Sequence, residues 1–155
     1  MISLARFVVY GTPRPQGSHV AFMDKRTGAL RVKDANAITH AAWRNSVTAQ
    51  AMQARRGRPP ITTAVRLEVC YRFTMPQAMR SRFGHTEPFK VSAPDLDKLD
   101  RAIYDALTAS QLIIDDSIIA RCVSQKLHTT GQPGAWITLS LLIANTSTKE
   151  MQLQL

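Results

Sequence analysis

Residues 94–116 read PDLDKLDRAIYDALTASQLIIDD. Leu96, Leu99, Ile103, Ala106 and Leu107 recur at helical spacing, which predicts an amphipathic helix over roughly 96–109. A short apolar piece, Leu112 to Ile114, follows and ends on Asp115 and Asp116. The polar side of the stretch is acidic: six of the chain's eleven Asp+Glu lie between Asp95 and Asp116. A helix with one apolar face has to be laid on something, and the flanking sequence supplies strands.

The cleanest strand lies upstream. Across 65–73, Val65, Leu67, Val69, Tyr71 and Phe73 alternate with Arg66, Glu68, Cys70 and Arg72, so one face meets a core. Leu4 to Tyr10 reads as a first strand. GTPRPQGS follows, and its two prolines and two glycines exclude a helix. His19–Met23 and Ala29–Lys33 flank DKRTG, a hairpin whose turn ends on Gly28. Asp34 or Asn36 is placed to cap a helix running to about Arg55, with Ile38, Ala42, Trp43 and Val47 on its apolar side. ARRGRPP ends that helix as a basic loop. MPQAMRSRFGHTEPFKVSAP, with its three prolines, reads as a loop that delivers the chain to Asp95. Ile118–Leu127 and Trp136–Ala144 are two further strands, and 145–155 reads as a loosely ordered tail. The expected fold is α+β: one domain with a small mixed sheet and two main helices packed on it.

Charge is divided unevenly along the 155 residues. Residues 1–94 carry 15 Lys+Arg against 4 Asp+Glu, and residues 95–155 carry 5 against 7, giving the overall +9. A basic body around a carboxylate cluster suits an enzyme acting on nucleic acid, since the body attracts phosphates and the carboxylates hold a cation. No apolar run approaches the length of a membrane helix, and the start does not read as a signal peptide, so an intracellular protein is expected. Cys70 and Cys122 lie in apolar stretches without metal-ligand spacing and read as buried free thiols of a reducing cytoplasm. His19, His40, His85 and His128 are scattered, with no nucleophile or carboxylate pattern around them. Trp43 and Trp136 read as core.

Asp95 and Asp97 stand two apart after a proline. An extended backbone there would point both carboxylates the same way. They could share a hard cation such as Mg²⁺, which takes oxygen ligands and often needs only one or two protein carboxylates. Asp116 is placed to complete the site. The bland alternative is that these aspartates cap a helix or favour its dipole. For Arg101, the equivalent alternative is helix-surface pairing with Asp97 and Asp105 at i,i+4.

The pattern PDLDKLDRAIYDAL…LIIDDSII…K resembles the RusA family of Holliday-junction resolvases, closely over about 95–126. That family's pattern runs D-x-D-N-L-x-K, then D-A-L, then an apolar run ending D-D, then a strand ending in Lys. GTPRPQGS is similar to the family's N-terminal loop. The resemblance implies that Asp95, Asp97 and Asp116 are metal-binding catalytic carboxylates. Arg101 stands at the family's helix lysine as a further catalytic group. Asp105 and Lys126 match supporting positions, and Asp115 and Lys98 flank the ligands. It also implies a homodimer that cuts four-way DNA junctions in pairs, using Mg²⁺ with Mn²⁺ as a substitute. The chain departs from the pattern with Lys98 for Asn, Arg101 for Lys, and Gln111 for a small turn residue. Arg14, Arg55, Arg56, Arg58, Arg80, Arg82 and Lys90 are the candidate phosphate contacts. Two other functions fit parts of the pattern: a non-catalytic junction-binding module, and a nucleotide-sugar transferase holding a metal–diphosphate on D-x-D.

Overall fold

The computed structural model describes residues 1–16, 19–34 and 37–144. The predicted tail and the proposed cap Asn36 lie outside those residues. A four-stranded mixed sheet runs in the order β1 (Ser3–Tyr10), β6 (Gly134–Leu141), β4 (Val65–Thr74), β5 (Ile119–Thr129). β6 is antiparallel to both of its neighbours, while β4 and β5 are parallel. β2 (His19–Met23) and β3 (Leu30–Asp34) form a separate antiparallel hairpin. Its turn closes with Gly28 donating to the Asp24 carbonyl at 2.7 Å, and Gly28 sits at φ 66°. That is a conformation glycine adopts without steric cost. The α+β expectation holds.

Alternation in β4 sets the core. Val65, Leu67, Val69, Tyr71 and Phe73 are all buried, together with Ala135, Ile137 and Leu139 of β6 and Ala5, Phe7 and Val9 of β1. Two helices cover this face. α1 (Ala37–Arg55) contributes Trp43, Val47 and Ala51. α3 (Leu96–Ala109) contributes Leu99, Ala102, Ile103, Ala106 and Leu107. Each of the large aliphatic side chains so buried contributes roughly 1.5–3 kcal/mol.

α3 ends in a left-handed turn. Gln111 donates its N–H to the Thr108 carbonyl, Leu112 donates to the Leu107 carbonyl, and Gln111 takes φ 55°. This is the Schellman arrangement usually closed by glycine. Here the Gln111 side chain accepts from Arg55 Nη1 at 3.1 Å, which ties the end of α3 to the end of α1. A short 3-10 turn, Asp116–Ile118, then enters β5. Among the described residues, no helix is long and apolar enough to cross a membrane.

Four expectations need correction. Ile38 is 87% exposed, because the buried stripe of α1 begins at Trp43. The segment 75–94 is not all loop: α2 (Gln77–Phe83) starts directly after Pro76, which stands at its N-cap and accepts from the Met79 N–H at 2.9 Å. Trp136 lies on the uncovered face of the sheet. There the Arg72 guanidinium sits 4.3 Å from its ring centre and Tyr10 meets it edge-on. The cysteines are not buried, Cys70 being half-buried and Cys122 exposed.

Candidate functional site

Register decides what faces α3 along the sheet edge. β5 runs parallel to β4, with Tyr71 opposite Lys126 and Phe73 opposite His128. Side-chain alternation then puts Cys122, Ser124, Lys126 and His128 on the helix-covered side. This polar column meets the polar side of α3.

Asp100 is the bracket between them. Its Oδ1 accepts from Tyr71 Oη at 2.7 Å and its Oδ2 from Ser124 Oγ at 2.6 Å. Burial pushes the Asp100 carboxyl up; the two hydrogen bonds oppose that, and the charge of Asp97 adds to it. Burial also raises the Tyr104 hydroxyl, as do Cys122 and the negative charges of Asp100 and Asp116. Asp97 and Asp116 therefore both act on the polar cluster around Asp100 and Tyr104.

Asp95 is the N-cap residue of α3 by position, with extended φ/ψ, but its side chain makes no capping hydrogen bond. Its carboxylate is 65% exposed and lies 3.5 Å from Lys98 Nζ. Asp97 is already in the helix, so the expected extended geometry covers Asp95 alone. The rule that places i and i+2 on one side does not extend to Asp97, because the helix begins at Leu96. The second pair divides by role. Asp115 caps the 3-10 turn, accepting from the Ser117 N–H at 2.9 Å, and its hydrogen bonds to Ser117 hold its carboxyl low. Asp116 does no capping and is exposed.

The loop that delivers Asp95 is pinned. Lys126 Nζ donates to the Ser92 carbonyl at 3.0 Å and to the Pro94 carbonyl at 2.7 Å. Lys90 donates to Ser92 Oγ at 2.6 Å; burial and the nearby charge of Lys126 lower its pKa. The Gln16 N–H donates to the Lys98 carbonyl at 2.9 Å, seating the N-terminal loop on the first turn of α3.

Arg101 is exposed, and among the described residues no ion pair joins it to Asp97 or Asp105. The expected helix-surface pairs are not formed. Asp105 and Asp116 line a groove of about 580 Å³ between α3 and α1. The arginine candidates separate. Arg58 donates to the carbonyls of Arg55, Leu4 and Ala54, and Arg80 to that of Met75. Arg14, Arg56 and Arg82 are exposed, Arg82 lying 5.2 Å from the Phe83 ring centre.

Sequence reasoning missed the bracket at Asp100. Its partners lie 29 and 24 residues away, so no local pattern marks them. The donor chemistry here fits a hard divalent cation, since three exposed carboxylates lie on the polar side of α3 and its flanks. Among the described residues, however, no three His, Cys, Asp or Glu side chains are gathered closely enough to hold one in the protein alone. Mg²⁺ often takes only one or two carboxylates and completes its shell with water and substrate phosphate.

A protein-family model described as Endodeoxyribonuclease RusA matches residues 9–140. A search among curated proteins finds no match.

Proposed function

The chain belongs to the RusA endodeoxyribonuclease family, and from that premise we propose that it resolves four-way DNA junctions by paired, Mg²⁺-dependent cuts. One observation carries the site assignment. Structural duties fall on Asp100, which brackets helix to sheet, and on Asp115, which caps the 3-10 turn. Asp95, Asp97 and Asp116 are exposed, and among the described residues none of them caps a helix through its side chain or pairs with an arginine. Those three are the residues that would hold the ion.

When bound, Mg²⁺ supplies polarisation of the scissile phosphate and a lower pKa for an attacking water. The protein's own groups do the rest. Lys126 fixes the backbone just before Asp95, and Asp100 fixes the helix that carries Asp97. Arg101, with no carboxylate partner among the described residues, is available to the charge that develops on the phosphate. Lys98 offsets part of the negative charge of Asp95. The basic residues before Asp95 gather the polyanion. A C2 homodimer matches the two-fold symmetry of a junction and gives the second cut. The reading places the protein in the cytoplasm, in contact with its DNA substrate.

The test uses labelled four-way junctions with and without Mg²⁺, comparing the parent with Asp95→Asn, Asp97→Asn and Asp116→Asn. Each variant should lose cutting, retain junction binding in EDTA, and melt with the parent. Parental cutting rates in all three would remove the site assignment. Early melting with lost binding would make these aspartates structural and favour a non-catalytic binding module.

A further inference from the structure

The polar side of α1 has no role in the chemistry above. Arg44 and Asn45 are exposed and Thr48 is half-buried one turn on, while Trp43 and Val47 face the core. Across from them stand Asp105 and Thr108 of α3, and Asp116 beyond it. These residues line the groove of about 580 Å³ between the two helices. The volume falls within the roughly 300–1,000 Å³ usual for ligand clefts.

Three features define what fits there. The groove reaches Asp116, so its occupant is continuous with the cut site. Arg44 makes no ion pair with Asp105 or Asp116 among the described residues, although both line the same groove. An arginine serving only to join two helices would close its planar fork on a carboxylate. Finally, α1 leads along the same side to Arg55, which is held at the end of α3 by Gln111, and then to the exposed Arg56. The track runs from a candidate metal ligand at one end to a basic loop at the other.

We propose that this groove carries the sugar-phosphate backbone of the cut strand beside the scissile phosphate, with Arg44 bonding a phosphate and the Asn45 amide donating to its neighbour. Arg44 then also offsets the repulsion that Asp105 and Asp116 exert on the strand. The Thr48 hydroxyl already donates to the Arg44 carbonyl at 2.9 Å, so Thr48 is wall rather than contact. The inference rests on the junction-nuclease reading and adds a strand path to it.

The test measures junction affinity in EDTA across a salt series, and single-turnover cleavage with Mg²⁺, for the parent, Arg44→Ala, Arg44→Lys and Thr48→Lys. One phosphate neutralised contributes a slope of about −0.9 in log affinity against log salt, or roughly eightfold at 0.1 M relative to 1 M. Arg44→Ala should lose about that slope and that affinity, and Arg44→Lys should recover most of both. Thr48→Lys adds a cation to the wall and should bind tighter with a steeper slope. If the parent neither binds nor cuts junctions, the nuclease reading fails. If the parent does both, and Arg44→Ala and Thr48→Lys leave affinity and slope unchanged, the groove assignment alone is overturned. Should Arg44→Ala melt early, Thr48→Lys decides: tighter binding supports the path, and unchanged or weaker binding refutes it.

Discussion

Replacing Asp100 by alanine should damage the fold and the cut together. The side chain accepts two short hydrogen bonds, from Tyr71 Oη at 2.7 Å and Ser124 Oγ at 2.6 Å. Tyr71 is 0% exposed, so its hydroxyl would be left without an acceptor and without water. Hydrogen bonds to a charged group contribute roughly 1.5–3 kcal/mol each, and an orphaned buried donor costs about 1–3 kcal/mol. Against this stands the desolvation already visible in the raised pKa of Asp100. The orphaned Tyr71 hydroxyl alone sets a loss of about 1–3 kcal/mol, or a fall in Tm of roughly 2–12 °C at this chain length. Adding Tyr71→Phe to Asp100→Ala removes the orphan, so the pair should be less destabilised than the sum by about 1–2 kcal/mol. Because Asp100 holds the helix that carries Asp97, cleavage should fall more than junction affinity. The pH dependence has a definite sign. A carboxyl raised by burial binds its proton more tightly folded than unfolded. Its contribution is fullest in acid and declines as pH rises through the ordinary 3.8 towards the folded value. Asp100→Asn removes that slope, so its deficit against the parent should be largest in acid and narrow above. Thermal melts and double-mutant cycles from pH 4 upward measure all of this. An Asp100→Ala protein that melts with the parent, with no coupling to Tyr71, would refute the bracket.

Arg101→Ala should slow single-turnover cleavage about a hundredfold with an unchanged melt, and Arg101→Lys should keep more of the rate; equal rates for Ala and the parent would make Arg101 a solvated side chain. Arg56→Glu should flatten the salt dependence of junction binding by about 0.9 or more without a stability change. Arg58→Glu should lower the Tm, because it loses the carbonyls of Arg55, Leu4 and Ala54; matching melts for the two variants would contradict that division. Lys126→Met frees the Ser92 and Pro94 carbonyls, so cleavage should drop roughly tenfold to a hundredfold while EDTA binding stays near the parent's; cleavage at the parental rate would show that the loop needs no pin.

The elements legible in the sequence were those with a strong period. The stripe in α3 and the alternation in β4 each follow from burial of one face, and both elements appear where the pattern puts them. α2 escaped because proline and arginine density reads as loop, although a proline can also begin a helix. Trp136 was misread for want of parity: Ala135, Ile137 and Leu139 take the buried positions of β6, which leaves Trp136 on the other face. The same parity places Ser124 and Lys126 towards α3, but only after the register of β5 on β4 is known. Within the site, the acidic residues were visible and their division of labour was not. Whether Asp95, Asp100 or Asp115 caps, brackets or stays free depends on where α3 begins and on partners far away in the chain.

The order of strands has a consequence for how the enzyme comes into being. Among the described residues β1 finds its sheet partner only in β6, pairing Ser3 through Tyr10 with residues 134–140. The N-terminal strand therefore waits for a segment made more than a hundred residues later, and such long-range closure is slow. Lys126 cannot pin the Asp95 loop until β5 has joined β4. During synthesis the basic N-terminal portion emerges well before Asp95, Asp97 and Asp116 are held by the folded sheet. On the function proposed above, the chain would carry its charge for DNA before its means of cutting it, and the nuclease would stay inert while it is being made.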